Sequence, residues 1–253
     1  MWAVRCLHEA QLYDDNCFLT LTYSPENIPD DGSLDKSHFQ LFLKRLRKKI
    51  SPRRISYFMC GEYGDNLERP HYHSLLFNFN FADRKFYKLS NSGDRLYTSE
   101  TLDSIWGLGH CFIGDVTFES AAYCARYALK KITGDIAESH YKGRLPEYCA
   151  MSTKPAIGLN WINKYIDQTY RHDSVIINGV RQLPPRYYDK ILRRTDRDRY
   201  EQIKKERDLF TKNKERTITR ESFYAQLKSR TKRRLKDRET VTSQRVNLYK
   251  RNL

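Results

Sequence analysis

The sequence predicts an α+β domain followed by a basic extension. Three observations carry this. β-Branched and aromatic runs bounded by turn residues occupy 16–23, 55–62 and 71–79. Apolar residues at helical spacing fill the segments between and after them. Charge and hydrophobic content change together near residue 185.

Residues 16–23 read N-C-F-L-T-L-T-Y and stop at Ser24-Pro25, a strand and its turn. Asp35 then N-caps a helix with Phe39, Phe42, Leu43, Leu46 and Ile50 on one side, and Pro52 ends it. Residues 55–62, I-S-Y-F-M-C-G-E, form a second strand. A short polar loop leads into the third, H-Y-H-S-L-L-F-N-F, and its length predicts an antiparallel hairpin. Alternation then gives His71, His73, Leu75, Phe77 and Phe79 a common face. Residues 82–105 are polar and mixed and yield no assignment. A further strand is expected at 111–118, helices at 119–133 and 157–170, and a small hairpin around Asn178-Gly179. Beyond Pro185 there is neither proline nor glycine and apolar residues are thin, which predicts long charged helices or a partly disordered arm. The expected division is a globular domain over 1–185 and an extension over 186–253.

The chain has 253 residues and a net charge of +15. Residues 186–253 hold 23 basic and 10 acidic side chains, so +13 of that charge lies in the extension. Such a distribution calls for an anionic partner. The densest stretch, K-S-R-T-K-R-R-L-K-D-R, puts Lys228, Arg230, Lys232, Arg233 and Arg234 in position to neutralise phosphates without reading sequence. A solvated helix face is the competing reading. The six cysteines form no C-x-x-C pair, which excludes a zinc-ribbon signature and fits a reducing cytoplasm. No apolar run approaches the roughly 18 residues of a membrane span, and the start of the chain has no signal-peptide core. A soluble protein without a membrane partner is expected.

Chemistry concentrates in two places. In His71-Tyr72-His73 both imidazoles leave a strand on the same side and can grip one divalent ion. Glu62 ends the preceding strand, and a hairpin would bring its carboxylate alongside as a third ligand. Ordinary solvated hairpin residues are the alternative. The second place is the helix carrying A-A-Y-C-A-R-Y-A-L-K-K-I. On a helical wheel Ala121, Cys124, Ala125, Ala128, Leu129 and Ile132 form an apolar arc, while Tyr123 and Tyr127 line up one turn apart on the other side with Lys130. They are surface tyrosines or a nucleophile pair. A phenol with a pKa of about 10 needs activation, which a lysine and a metal-polarised phosphate would supply. No G-x-x-x-x-G-K-[ST] run is present, so no P-loop helicase is recognised.

Together, F-L-T-L-T at 18–22, R-P-H-Y-H-S-L-L-F at 69–77 and Y-C-A-R-Y-A-L-K-K at 123–131 resemble the three ordered motifs of HUH-superfamily rolling-circle replication initiators. Tyr72 stands where that family usually has a bulky apolar residue. The segments W-A-V-R-C-x-H-E-A-Q, C-G-E-Y-G-D, G-D-V-T-F-E-S-A-A-Y and P-P-R-Y-Y-D are similar to the initiators of gokushovirus-type microviruses. Relatives there often carry extra sequence before W-A-V-R, which implies a chain short at that end. The resemblance implies a palm-like central antiparallel sheet of about five strands with flanking helices. It implies His71, His73 and Glu62 as ligands of Mg²⁺ or Mn²⁺. It implies Tyr127 as nucleophile, Tyr123 as the partner that acts when the circle closes, and Lys130 or Lys131 on the phosphate. Arg126, between the tyrosines, is expected to contact DNA. The implied activity is nicking of single-stranded origin DNA through a 5′-phosphotyrosine link, followed by rejoining, in the cytoplasm of a bacterial host with host polymerase and helicase. A basic single-stranded-DNA-binding or packaging protein without catalysis is the alternative.

Overall fold

The computed structural model describes residues 1–216 except 65, 66, 91, 131 and 133–135; the side chains of 128–130, 136 and 210–216 also lie outside the description. Backbone contacts group the chain into two units. One holds Met1–Lys88 and Arg95–Tyr188, the other Leu89–Asp94 and the described residues from Asp189 onward.

The elements run α1 Trp2–Ala10, β1 Asn16–Thr22, α2 Lys36–Ile50, β2 Ser56–Tyr63, β3 Pro70–Phe77, β4 Lys85–Leu89, β5 Arg95–Thr98, α3 Glu100–Trp106, β6 Cys111–Gly114, α4 Phe118–Lys130, α5 Ile136–Tyr141, β7 Tyr148–Met151, α6 Leu159–Arg171, β8 Val175–Ile177, β9 Val180–Gln182, α7 Arg186–Thr195 and α8 Arg197–Arg216. The Asp35 carboxylate accepts from the Ser37 N–H and caps α2, as its sequence predicts.

The α+β expectation holds: an antiparallel sheet lies between helices, and charged helices follow it. The sheet has seven strands, in the order β4-β5-β6-β1-β3-β2-β7. The resemblance implies about five; of the strands in the sheet, β4 and β5 lie in the stretch the sequence left unassigned and β7 is only four residues long. The 175–182 hairpin is a separate two-stranded sheet.

Alternation along the three central strands builds two cores on opposite faces. Leu19, Leu21, Met59, Tyr72 and Leu76 face α2 and α3, meeting Phe39, Phe42, Leu46, Leu102 and Trp106. Phe58, Cys60, Leu75 and Phe77 face α1 and α4, meeting Ala3, Cys6, Ala121 and Cys124. His71 and His73 alternate with Tyr72 and so belong to the α1/α4 face. Phe79 departs from the expected shared face: β3 ends at Phe77, Asn78 turns with φ +65°, and Phe79 packs in the opposite core.

Tyr72 is an apolar plug with one polar anchor. The side chain is fully buried, and its hydroxyl donates to the Asp35 carbonyl at 2.7 Å, accepts from the Asp35 N–H at 3.0 Å and lies 2.9 Å from the Tyr23 hydroxyl. It thus ties the start of α2 to the sheet. Tyr72→Phe keeps the ring and strands these groups, at a cost of about 2 kcal/mol. For a domain of this size, that corresponds to a melting temperature roughly 4–8 °C lower, read by thermal unfolding.

α1 is fixed by its own polar residues. Glu9, buried, accepts from the Ser56 hydroxyl at 2.9 Å and the Gly158 N–H at 2.7 Å. The Arg5 guanidinium donates to the Ile157 carbonyl at 2.8 and 3.0 Å. Within the second unit, Asp189 accepts a two-pronged contact from Arg207 at 3.0 and 3.1 Å, and the Asp196 carboxylate accepts from the Arg199 N–H at 3.0 Å near the start of α8. No helix among the described residues is long and apolar enough to cross a membrane.

Candidate active site

The β2–β3 ladder sets Glu62 opposite His71, and places His73 between Cys60 on β2 and Thr20 on β1. Three side chains sought from the sequence therefore converge. Nε2 of His71 lies 2.8 Å and Nε2 of His73 2.9 Å from the same Glu62 oxygen, Oε1. Across the sheet face, α4 brings in the tyrosines. The Tyr123 hydroxyl donates to Glu62 Oε1 at 2.6 Å, and the Tyr127 hydroxyl donates to that of Tyr123 at 3.1 Å.

Each imidazole is oriented from behind. His71 Nδ1 lies 3.1 Å from the Arg69 carbonyl, which can only accept, so Nδ1 carries the proton. His73 Nδ1 meets the Thr20 hydroxyl at 3.0 Å, while Phe18 stacks on its ring at 5.3 Å and Tyr123 meets it edge-on at 4.9 Å. Such outer contacts fix ring orientation in metal sites. Gly61 permits the close packing behind Glu62, since a Cβ there would sit 2.9 Å from the Tyr148 ring.

The electrostatics follow from burial and pairing. Burial alone would push the Glu62 carboxyl up, but the hydrogen bonds and charge of His71 and His73 outweigh it and hold it at about 2. Burial lowers the His73 imidazole, against the opposing pull of Glu62. Burial, then the adjacent Glu62 carboxylate, raises the Tyr123 phenol.

These residues fit a divalent ion. Glu62, His71 and His73 each offer a ligand atom, all within 4.8 Å of one another. Adjacent ligands of an octahedral ion held at roughly 2.0–2.1 Å stand about 2.9 Å apart, close to the two nitrogen–oxygen distances here. With Nδ1 of His71 on the Arg69 carbonyl, Nε2 is the atom left for Glu62: it donates there when the ring is protonated, and when the ring is neutral it offers a lone pair that a cation would share with the carboxylate. Glu62 Oε2 is buried with no hydrogen-bond partner among the described residues, a second oxygen for the same purpose.

The tyrosines differ from the helical-wheel expectation. That expectation left both on an open side. Tyr127 is instead 6% exposed and Tyr123 half-buried. The wheel treated the arc of small residues as the whole buried side, whereas α4 is covered by α1 and also by β2, β3 and β7. The polar tyrosine side is the one laid over Glu62 and His73. The sequence favours Tyr127 through its spacing to Lys130; the structure sets the Tyr123 hydroxyl against the carboxylate, with Tyr127 behind it. The Lys130 side chain and Lys131 lie outside the described residues, as do Lys228, Arg230, Lys232, Arg233 and Arg234. Arg126 is exposed, its guanidinium 5.8 Å from the Tyr123 ring centre. Thr20 and the Arg69 carbonyl were not singled out from sequence. The F-L-T-L-T alternation puts Phe18 and Thr20 on one face, but only the strand register pairs Thr20 with His73.

A family model of replication-associated proteins of the ORF2 type matches residues 16–132. Replication-associated protein VP4 of Bdellovibrio phage phiMH2K is 41% identical over 194 residues, covering 74% of this chain and 60% of the relative. Replication-associated protein ORF2 of Spiroplasma virus 4 is 33% identical over 227 residues, covering 83% and 69%. Replication-associated protein ORF4 of Chlamydia phage 1 is 30% identical over 201 residues, covering 76% and 49%. The chain thus spans between about half and two thirds of the length of these relatives. No solved structure matches it. The chain belongs to the phage replication-associated protein family.

Proposed function

We propose that this chain is a metal-dependent endonuclease that nicks single-stranded origin DNA with a tyrosine, keeps the 5′-phosphate, and later rejoins the strand. One observation carries the reading: the Tyr123 hydroxyl and the Nε2 atoms of His71 and His73 meet at a single carboxylate oxygen. A nucleophile and a ligand set on one atom is an arrangement for phosphoryl transfer.

A divalent ion, Mg²⁺ or Mn²⁺, held by Glu62, His71 and His73 would polarise the scissile phosphate and offset the charge that builds there. The chain does the rest. Tyr123 Oη forms the bond to phosphorus, the bond to the 3′-oxygen breaks, and that oxygen leaves with a proton as a 3′-hydroxyl for polymerase. The phenolic proton, held at the start on its short bond to Glu62, is released to solvent as the bond to phosphorus forms, and the departing 3′-oxygen takes one up, so the step is neutral in protons. Tyr127, one turn along, supplies the second hydroxyl needed to cut again while the first link is in place. Arg126 and the basic extension over 186–253 neutralise backbone phosphates. Host polymerase and helicase are the partners of this reading, in the cytoplasm of a bacterial host.

Incubating the full chain with single-stranded origin DNA and Mn²⁺ tests this on a denaturing gel. A covalent protein–DNA band is expected, lost with chelator and lost in a Tyr123→Phe/Tyr127→Phe double variant. A band that survives the double variant refutes the tyrosine assignment. Salt-sensitive binding with no band in any metal identifies a binding protein without catalysis.

A further inference from the structure

The edge of the sheet carries a feature that the nicking chemistry does not use. All five residues of β4 are exposed, and they read Lys85-Phe86-Tyr87-Lys88-Leu89. Phe86 is 57% and Tyr87 54% exposed. Two adjacent aromatic rings in water on an edge strand are costly, and exposed apolar groups of this kind mark interaction surfaces. Cations interleave with them. Lys88 Nζ lies 5.3 Å from the Tyr87 ring centre and the Arg84 guanidinium 5.1 Å from that of Tyr97. Arg84, Lys88 and Arg95 are exposed, while Lys85 is held by Glu100 at 2.9 Å.

The edge is joined to the candidate active site by a row of side chains on one sheet face. Thr20 on β1 is paired with His73 on β3 and with Phe112 on β6. Residues directly opposite in a ladder share a face, so Phe112 lies on the side of the metal ligands, two strand spacings or about 10 Å from His73. The Tyr87 ring stacks beside Phe112 with centres 5.7 Å apart and planes 27° from parallel. Phe86 meets Tyr97 edge-on at 6.0 Å. On the face of the ligands, half-buried Phe112 thus continues into the exposed Tyr87 ring at the edge, while Phe86 points to the opposite face with Tyr97, whose partner is Ile113.

We propose that Tyr87, continued by Phe112 on the face of the ligands, is a stacking platform for unpaired bases of the DNA strand flanking the nick, with Lys88 at the edge on its phosphates. Aromatic rings interleaved with cations suit single strands, because every base offers a face to stack while the cations follow the backbone. The platform rests on the nicking reading for its choice of DNA strand. A second copy of this chain, pairing edge to edge, is the competing occupant. The exposed cations disfavour it, since two antiparallel copies would bring like charges together.

The test measures binding in chelator, where no cleavage occurs. Full-length protein is titrated into fluorescein-labelled oligothymidylate and, separately, a duplex of equal length, at an ionic strength that suppresses phosphate contacts. Tyr87→Ala should raise Kd for oligothymidylate about fivefold or more and leave duplex affinity unchanged, while Phe86→Leu, on the opposite face, should change neither. Tyr87→Trp should keep the oligothymidylate affinity. Photocrosslinking of bromodeoxyuridine-substituted oligonucleotide should map to the peptide bearing 85–88. Wild-type affinity in the alanine variant overturns the platform. So does an equal loss on duplex, or a change in sedimenting mass in place of affinity. If no covalent product forms with any DNA yet the alanine variant still loses oligothymidylate, the nicking reading fails and the platform stands. If nicking occurs and the alanine variant binds normally, the platform alone fails.

Discussion

Tyr123→Phe should slow the first cleavage by on the order of 10³-fold or more, whereas Tyr127→Phe, which loses one neutral hydrogen bond, should slow it by about tenfold or less. The asymmetry follows from position. Tyr123 touches the carboxylate oxygen shared by both histidines, and Tyr127 donates to the Tyr123 hydroxyl behind it. Removing the Tyr123 hydroxyl takes away the group nearest the ligands. Removing that of Tyr127 takes away a donor that orients Tyr123. Single-turnover cleavage of a labelled single strand reads the first step. A two-site substrate, whose release requires a second cut, reads the second, and there Tyr127→Phe should fail. Equal first-step rates in the two variants would make the tyrosines interchangeable, and the reverse order would restore Tyr127, the residue favoured by its spacing to Lys130. The raised phenol of Tyr123 bears on the same experiment. Burial and the Glu62 carboxylate keep it protonated, so its reactivity depends on offsetting that negative charge.

Much of the site was legible because a strand with alternating chemistry declares its face. His71-x-His73 and the short connection back to Glu62 needed only period-two geometry and a hairpin, and the ladder sets Glu62 opposite His71. The tyrosines were legible as a pair but not in their burial, because a wheel drawn from one helix does not know how many partners cover it. α4 has α1 on one flank and the sheet on another. β4 escaped notice for a different reason. Its five residues are all exposed, so its aromatic and basic side chains give no inside-out alternation to read. β7 holds four half-buried residues, too few to show a period. Thr20 needed the register of two ladders at once, which no local pattern contains.

Mn²⁺ should raise the melting temperature of the wild-type chain, and the metal-ligand variants should lose that rise. An ion at about 100 times its Kd stabilises by about 2.7 kcal/mol, or roughly 5–11 °C for a domain of this size. The ligand set makes the ion's binding selective for the folded state, since Glu62 and His73 meet only through the β2–β3 ladder. His73→Ala removes one ligand and should abolish most of the shift. Glu62→Gln keeps the side-chain shape and a carbonyl oxygen but removes the charge, so it should abolish the shift while the metal-free protein stays folded. That variant separates metal binding from architecture, because Glu62 also accepts hydrogen bonds that hold the site together. Proton competition gives the pH sign. Both imidazoles bind metal only when neutral, so the Mn²⁺-induced shift should fade as pH falls through the histidine range. Burial lowers the His73 imidazole, which moves the loss at that ligand to lower pH than in an exposed histidine. An undiminished shift in His73→Ala and Glu62→Gln would place the ion elsewhere and remove the metal from the proposed chemistry.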